Sequence, residues 1–169
     1  MADNEHQHNQ RVADLANESG KILLPIKGYE KKPLVTLEEA IEPIVSVVPD
    51  VQQMAHVAKM RCADPPADGL SVDESASIML YTMDWHPSNQ CLYYVLNDTL
   101  RSENRQKLTP WFLFLRLILT AFARLPPSNR PVIYRGVRQD MTEKYLKGKT
   151  MIWWGFGSCT DTMDVLNNN

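Results

Sequence analysis

The sequence predicts an α+β fold, with a helical layer over residues 34–127 followed by the first strands of a sheet. Three observations predict it. Two capping boxes, Thr36-Leu37-Glu38-Glu39 and Ser71-Val72-Asp73-Glu74, open amphipathic stretches. A long apolar stretch, Trp111 to Leu125, carries Arg116, Thr120 and Arg124 every fourth residue, as one polar stripe on an otherwise buried helix does. Beyond it, Pro131-Val132-Ile133-Tyr134 and Met151 to Phe156 are β-branched, aromatic and apolar, the composition of strands.

Taken in order, residues 1–33 read as a polar, disordered lead-in, with Pro25, Gly28 and Pro33 favouring extended chain. The Thr36 box predicts a helix running to Val48 and broken at Pro49, after which Asp50 caps a second helix through Lys59. Pro65-Pro66 and Gly69 make a loop, and the Ser71 box starts a helix through about Met83, with Tyr81 in its core face. Pro87-Ser88 starts the next, in which Leu92, Val95, Leu96 and Leu100 share a face. Thr109-Pro110 opens the last and longest, and Leu125-Pro126-Pro127 ends it. Residues 128–169 then hold the strand at Pro131, a short helix capped at Asp140, a second strand to about Thr160 and the start of another helix at Thr162. Isolated strand pairs are marginal in water, so these two strands are expected to belong to an incomplete sheet of the same domain.

Composition narrows the function. The 169 residues are 44% hydrophobic and 22% charged with a net charge of −2, so no basic surplus points to nucleic acid. Lys144, Lys147 and Lys149 read as a solvated face. Cys62, Cys91 and Cys159 are too few for a disulfide framework, and neither they nor His6, His8, His56 and His86 have zinc-ligand spacing. No signal peptide is visible, and Trp111 to Leu125 is too short to span a bilayer; a cytoplasmic protein with no membrane partner is the expectation.

The candidate chemistry lies in Tyr134-Arg135-Gly136 and in Trp153-Trp154-Gly155-Phe156-Gly157-Ser158-Cys159-Thr160. A guanidinium beside a glycine can clamp phosphate while the backbone approaches the ligand closely. Small polar groups beside aromatic rings can hold a ribose while the rings flank a flat heterocycle. This pairing resembles the arginine-specific mono-ADP-ribosyltransferases, in which a Tyr-Arg-Gly ends one core strand and a Phe-x-Ser followed by small residues lies on another. The likeness extends upstream through Leu80-Tyr81-Thr82, Leu96-Asn97 to Leu100-Arg101 and Leu108 to Pro126, from near Pro33 onward.

The resemblance implies an ADP-ribosyltransferase-type β-sandwich and cleavage of the nicotinamide–ribose bond of NAD or NADP, with ADP-ribose transferred to an arginine of a protein substrate. It implies that Arg135, Gly136, Trp154, Phe156 and Ser158 bind the co-substrate, that Trp153 is a further candidate for the nicotinamide wall, and that Ser158 is catalytic. No metal is implied. The family's Glu-x-Glu should follow, but no Glu occurs after Glu143, so the sheet reads as truncated and transfer as weak or lost. A rival expectation is a helical protein-interaction module with a vestigial cofactor cleft.

Overall fold

The computed structural model describes residues 22–135, 140, 142–143 and 145–163. Leu24–Pro127 form one compact unit; the described residues from Ser128 onward belong, with Ile22 and Leu23, to a second. The lead-in from 1 to 21, including His6 and His8, lies outside the described residues.

The first unit is helical: α1 is Leu37–Ile41, α2 Val51–Arg61, α3 Val72–Thr82, α4 Leu92–Arg101 and α5 Phe112–Arg124. Both capping boxes form. Thr36 Oγ1 accepts from the Glu39 amide while the Glu39 carboxylate accepts from the Thr36 amide, and Ser71 and Glu74 repeat the exchange. The helix expected to reach Val48 instead leaves α geometry after Ile41 and continues as a 3-10 turn over Glu42–Ile44. Pro43 is the reason, because it lacks the amide that would bond to the Glu39 carbonyl and its ring crowds that position. Asp50 precedes α2 but does not cap it; it sits in the left-handed region at φ 60° and makes no side-chain cap bond. The entry to α5 also differs from expectation. Pro110 lies within a 3-10 segment, Arg105–Trp111, and the α-helix starts only at Phe112. A similar 3-10 turn, Ser88–Gln90, precedes α4.

These helices pack because their apolar stripes face one another. α5 lies against α1 and α3, and α2 against α3. Leu37, Ile41, Ile44, Leu80, Leu92, Leu96, Trp111, Phe114 and Ile118 are all fully buried. Val95, expected on the same face as Leu92 and Leu96, is only partly buried. Gly28 turns at φ 104° in front of the Tyr29–Lys31 turn, and a Cβ there would stand 3.2 Å from the Phe112 ring. Only glycine allows both the conformation and the approach.

Polar ties fix the helices relative to each other. Lys59 Nζ bridges Glu38 at 2.5 Å and Asp73 at 2.8 Å, and Asp73 also accepts from the Leu37 amide at 2.8 Å. Burial alone would raise the Asp73 carboxyl, but the bonds from Lys59 and Leu37 outweigh it and hold its pKa below 3.8. Lys59 mirrors this: burial would lower it, and Asp73 and Glu38 together raise it above 10.5. Glu74, 3% exposed, receives Arg124 Nη1 at 2.7 Å, which gives the polar stripe of α5 a purpose at its last member. Tyr81 is buried as expected, its ring 5.2 Å from that of Tyr93 and its hydroxyl accepting from Asn97 Nδ2. Cys91 is buried at the start of α4, where its thiol receives the Trp85 amide and donates to the Trp85 carbonyl, both at 3.0 Å.

In the second unit the expected strands do not form. Among the described residues there is no β-strand and no sheet, so the α+β sandwich is corrected to a helical fold followed by irregular chain. The two segments meet at one isolated antiparallel bridge, Tyr134 with Thr160, whose amides and carbonyls exchange bonds of 2.6 and 2.8 Å. A ladder needs successive partners on both chains. Pro131 has no amide to give, Gly155 and Gly157 favour irregular backbone, and no third described segment lies alongside. The short helix expected from Asp140 includes Met141 and Lys144, which lie outside the described residues; Asp140 itself accepts from the amide and hydroxyl of Thr142, as a turn does. The helix expected at Thr162 falls largely outside them too.

Candidate functional site

Within the second unit, the bridge sets the chemistry-bearing residues side by side. Tyr134 is held to Thr160, so Arg135 projects next to the Trp153–Ser158 segment. Its guanidinium carbon lies 5.9 Å from the centroid of the Trp153 ring, within cation–π range. Its Nη1 end lies over Gly157, where a methyl group would collide with it. The remaining nitrogens, Nε and Nη2, are shielded from solvent and have no hydrogen-bond partner among the described residues.

Those two atoms are the side-on fork of a guanidinium, the pair that engages two oxygens of a phosphate or carboxylate in parallel. Buried donors without a partner are uncommon and costly, which makes them informative about what the site takes. Tyr145 Oη is also buried without a partner among the described residues. Arg135 is therefore positioned by its neighbours, with one end on a glycine, one face toward an indole and the fork unused.

The other residues expected in the site fall into three groups. Ser158 is half-buried and follows Gly157 directly; among the described residues its hydroxyl makes no hydrogen bond. Trp154 and Phe156 are also half-buried, whereas Trp153 is 49% exposed and is the aromatic that meets Arg135. Gly136 lies outside the described residues. Sequence reasoning gave Gly157 only its place between Phe156 and Ser158, and the approach of the Arg135 guanidinium is what requires a glycine there. Near the bridge, Arg130 Nε pairs with Asp161 at 3.0 Å, but both side chains are substantially exposed and the pair adds little stability.

No protein-family model, curated protein or solved structure matches this sequence. The residues themselves must carry the functional argument. Among the described residues no group of three or more His, Cys, Asp and Glu side chains could hold a metal ion, and no helix is long and apolar enough to cross a membrane. His56 and His86 are both exposed.

Proposed function

We propose that the Arg135–Ser158 segment pair is the co-substrate half of an arginine-directed mono-ADP-ribosyltransferase site, which binds NAD or NADP and, in these 169 residues, transfers ADP-ribose weakly. The carrying observation is the Arg135 fork, shielded and, among the described residues, unpartnered beside Trp153 and Gly157. A pyrophosphate presents the oxygen pairs that such a fork accepts. An indole face near the same guanidinium gives a flat heterocycle a stacking partner, and the Ser158 hydroxyl can bond a ribose.

The bound dinucleotide supplies a glycosidic bond that breaks with its electron pair leaving on nicotinamide, which departs neutral. The acceptor arginine nitrogen forms the new bond to ribose and gives up its proton. Arg135 anchors the phosphates so that the ribose is held in place, and Ser158 orients it. Neither residue supplies the negative charge that would oppose the developing cation or take the acceptor's proton. Binding is therefore the property to measure.

Calorimetric titration of NAD into the chain, with Trp fluorescence recorded in parallel, is expected to show saturable binding. Arg135→Ala abolishes it, and Arg135→Lys, which keeps the charge but loses the planar fork, weakens it about tenfold or more. Gly157→Ala pushes the guanidinium away from its seat and weakens binding with the helical unit unaffected. A cooperatively folded protein that takes up no NAD, or binding that survives Arg135→Ala, overturns the proposal.

A further inference from the structure

The sequence holds two Asn-x-Ser/Thr triplets, Asn17-Glu18-Ser19 and Asn97-Asp98-Thr99. Such a triplet is the acceptor of N-linked oligosaccharide, and occupied sites lie at the surface. Asn17 lies outside the described residues. Asn97 stands in the middle of α4 with 0% exposure. We propose that folding of the helical unit and N-glycosylation of Asn97 exclude one another, so that the chain reaches its native state only in a compartment where asparagine receives no oligosaccharide. The proposal is independent of the Arg135 site, since it rests on the residues around α4.

The atom that would carry the sugar is already committed. Asn97 Nδ2 donates to Tyr81 Oη at 3.1 Å, which ties α4 to α3 through a buried bond. Residues three and four apart share a helix face, so Asn97 cannot turn to solvent without carrying Tyr93 and Leu100 with it, and both of these are buried. Their burial, with that of Leu96, is what seats α4 in the core.

The transfer forms a bond from Asn97 Nδ2 to C1 of the first sugar. It breaks that carbon's bond to the pyrophosphate of a lipid-linked oligosaccharide, one Nδ2 proton is lost and the lipid pyrophosphate leaves. A close-packed interior has no room for a sugar ring beside the Tyr81 hydroxyl. A glycan added to the unfolded chain therefore stays in water and holds Asn97 out of the core. Thr99, which the transfer requires, spends its hydroxyl in the native helix on the Val95 carbonyl at 2.7 Å, so it can be changed without touching the Asn97–Tyr81 bond.

Cys91 points to the same kind of compartment by different chemistry. Its thiol donates to the Trp85 carbonyl at 3.0 Å, a bond that needs the S–H and is lost once the sulfur is oxidised. The lumen that glycosylates asparagine is also the one that oxidises thiols.

The test is translation of the full chain carrying Asn17→Gln and a secretory leader, with and without microsomes, in dithiothreitol so that thiols stay reduced. With microsomes, a glycosidase-sensitive gain in mass at Asn97 is expected. After detergent lysis, protease should digest that modified fraction, because cleavage follows the open population, while the chain made without microsomes keeps a resistant helical unit. Thr99→Val removes the triplet, and an excess of a blocked Asn-Leu-Thr peptide competes for transfer with the chain itself unaltered. Each should leave the translocated chain unmodified and resistant. Three outcomes overturn the proposal: a modified chain as resistant as the unmodified one, a folded and unmodified chain with the triplet intact and no competitor present, or a chain that stays protease-sensitive in microsomes when the peptide blocks transfer.

Discussion

The helical unit and the chain beyond Pro127 both carry large apolar side chains, yet only the first buries them. Apart from Leu23, every buried apolar residue lies between Leu37 and Ala121. Past Ala121 no described residue is buried, and Val132, Ile133, Leu146, Ile152, Trp153 and Met163 are exposed. The difference teaches that apolar character specifies a regular element only where there is a complementary surface to receive it. In the helical unit each stripe meets another stripe. In the second unit the two strand-like segments meet at one residue pair, and local preference for extended chain does not extend that contact into a sheet.

The comparison breaks most directly if equal truncations act equally in the two regions. Phe114→Ala, at a fully buried position in α5, is expected to cost about 3–5 kcal/mol in urea unfolding. Ile133→Ala, at a position 58% exposed, should stay within about 0.5 kcal/mol. Similar losses would mean that residues after Pro127 contribute to a core.

A smaller contrast separates the ion pairs. Glu74→Ala removes the capping box of α3 and strands Arg124, for an expected loss of about 1–3 kcal/mol. Asp161→Asn, which breaks the exposed pair with Arg130, should cost less than about 1 kcal/mol and fade with added salt. If the Asp161 variant is the more damaging, the second unit depends on that pair more than its exposure indicates.

The smallest effect is expected from pH, and it sharpens the account of the helical unit alone. The Asp73 carboxyl is held below 3.8, so its contribution is fully present above that value and is lost as pH falls through the lower, folded value. Lys59 is held above 10.5, so its contribution is full below 10.5 and is lost as pH rises through the folded value. Between the two the contribution of this cluster is flat. Urea midpoints measured from about pH 5 downward should show an acid limb that is shallower in Asp73→Asn. An unchanged limb would remove Asp73 from the causes of acid destabilisation.

The candidate site was legible in the residues only in part. Arg135 and Ser158 stand out as candidates by residue type and flanking glycines; the meeting of Arg135 with Trp153, and the need for glycine at 157, depend on the Tyr134–Thr160 bridge.

By itself the sequence determined the features whose causes are local. The capping boxes at Thr36 and Ser71 form within four residues of chain, and the spacing of Leu92, Leu96 and Leu100 follows from the pitch of a helix. Even the early end of α1 was local, since Pro43 enforces it regardless of the surroundings. Tertiary structure decided whatever required a distant partner: that Asp73 joins α1 to α2, that Glu74 receives Arg124, that Arg135 rests on Gly157, and that the runs at 131 and 151 remain irregular. A helix closes its hydrogen bonds within itself, whereas a strand must borrow them from another segment, and no residue pattern can supply that neighbour.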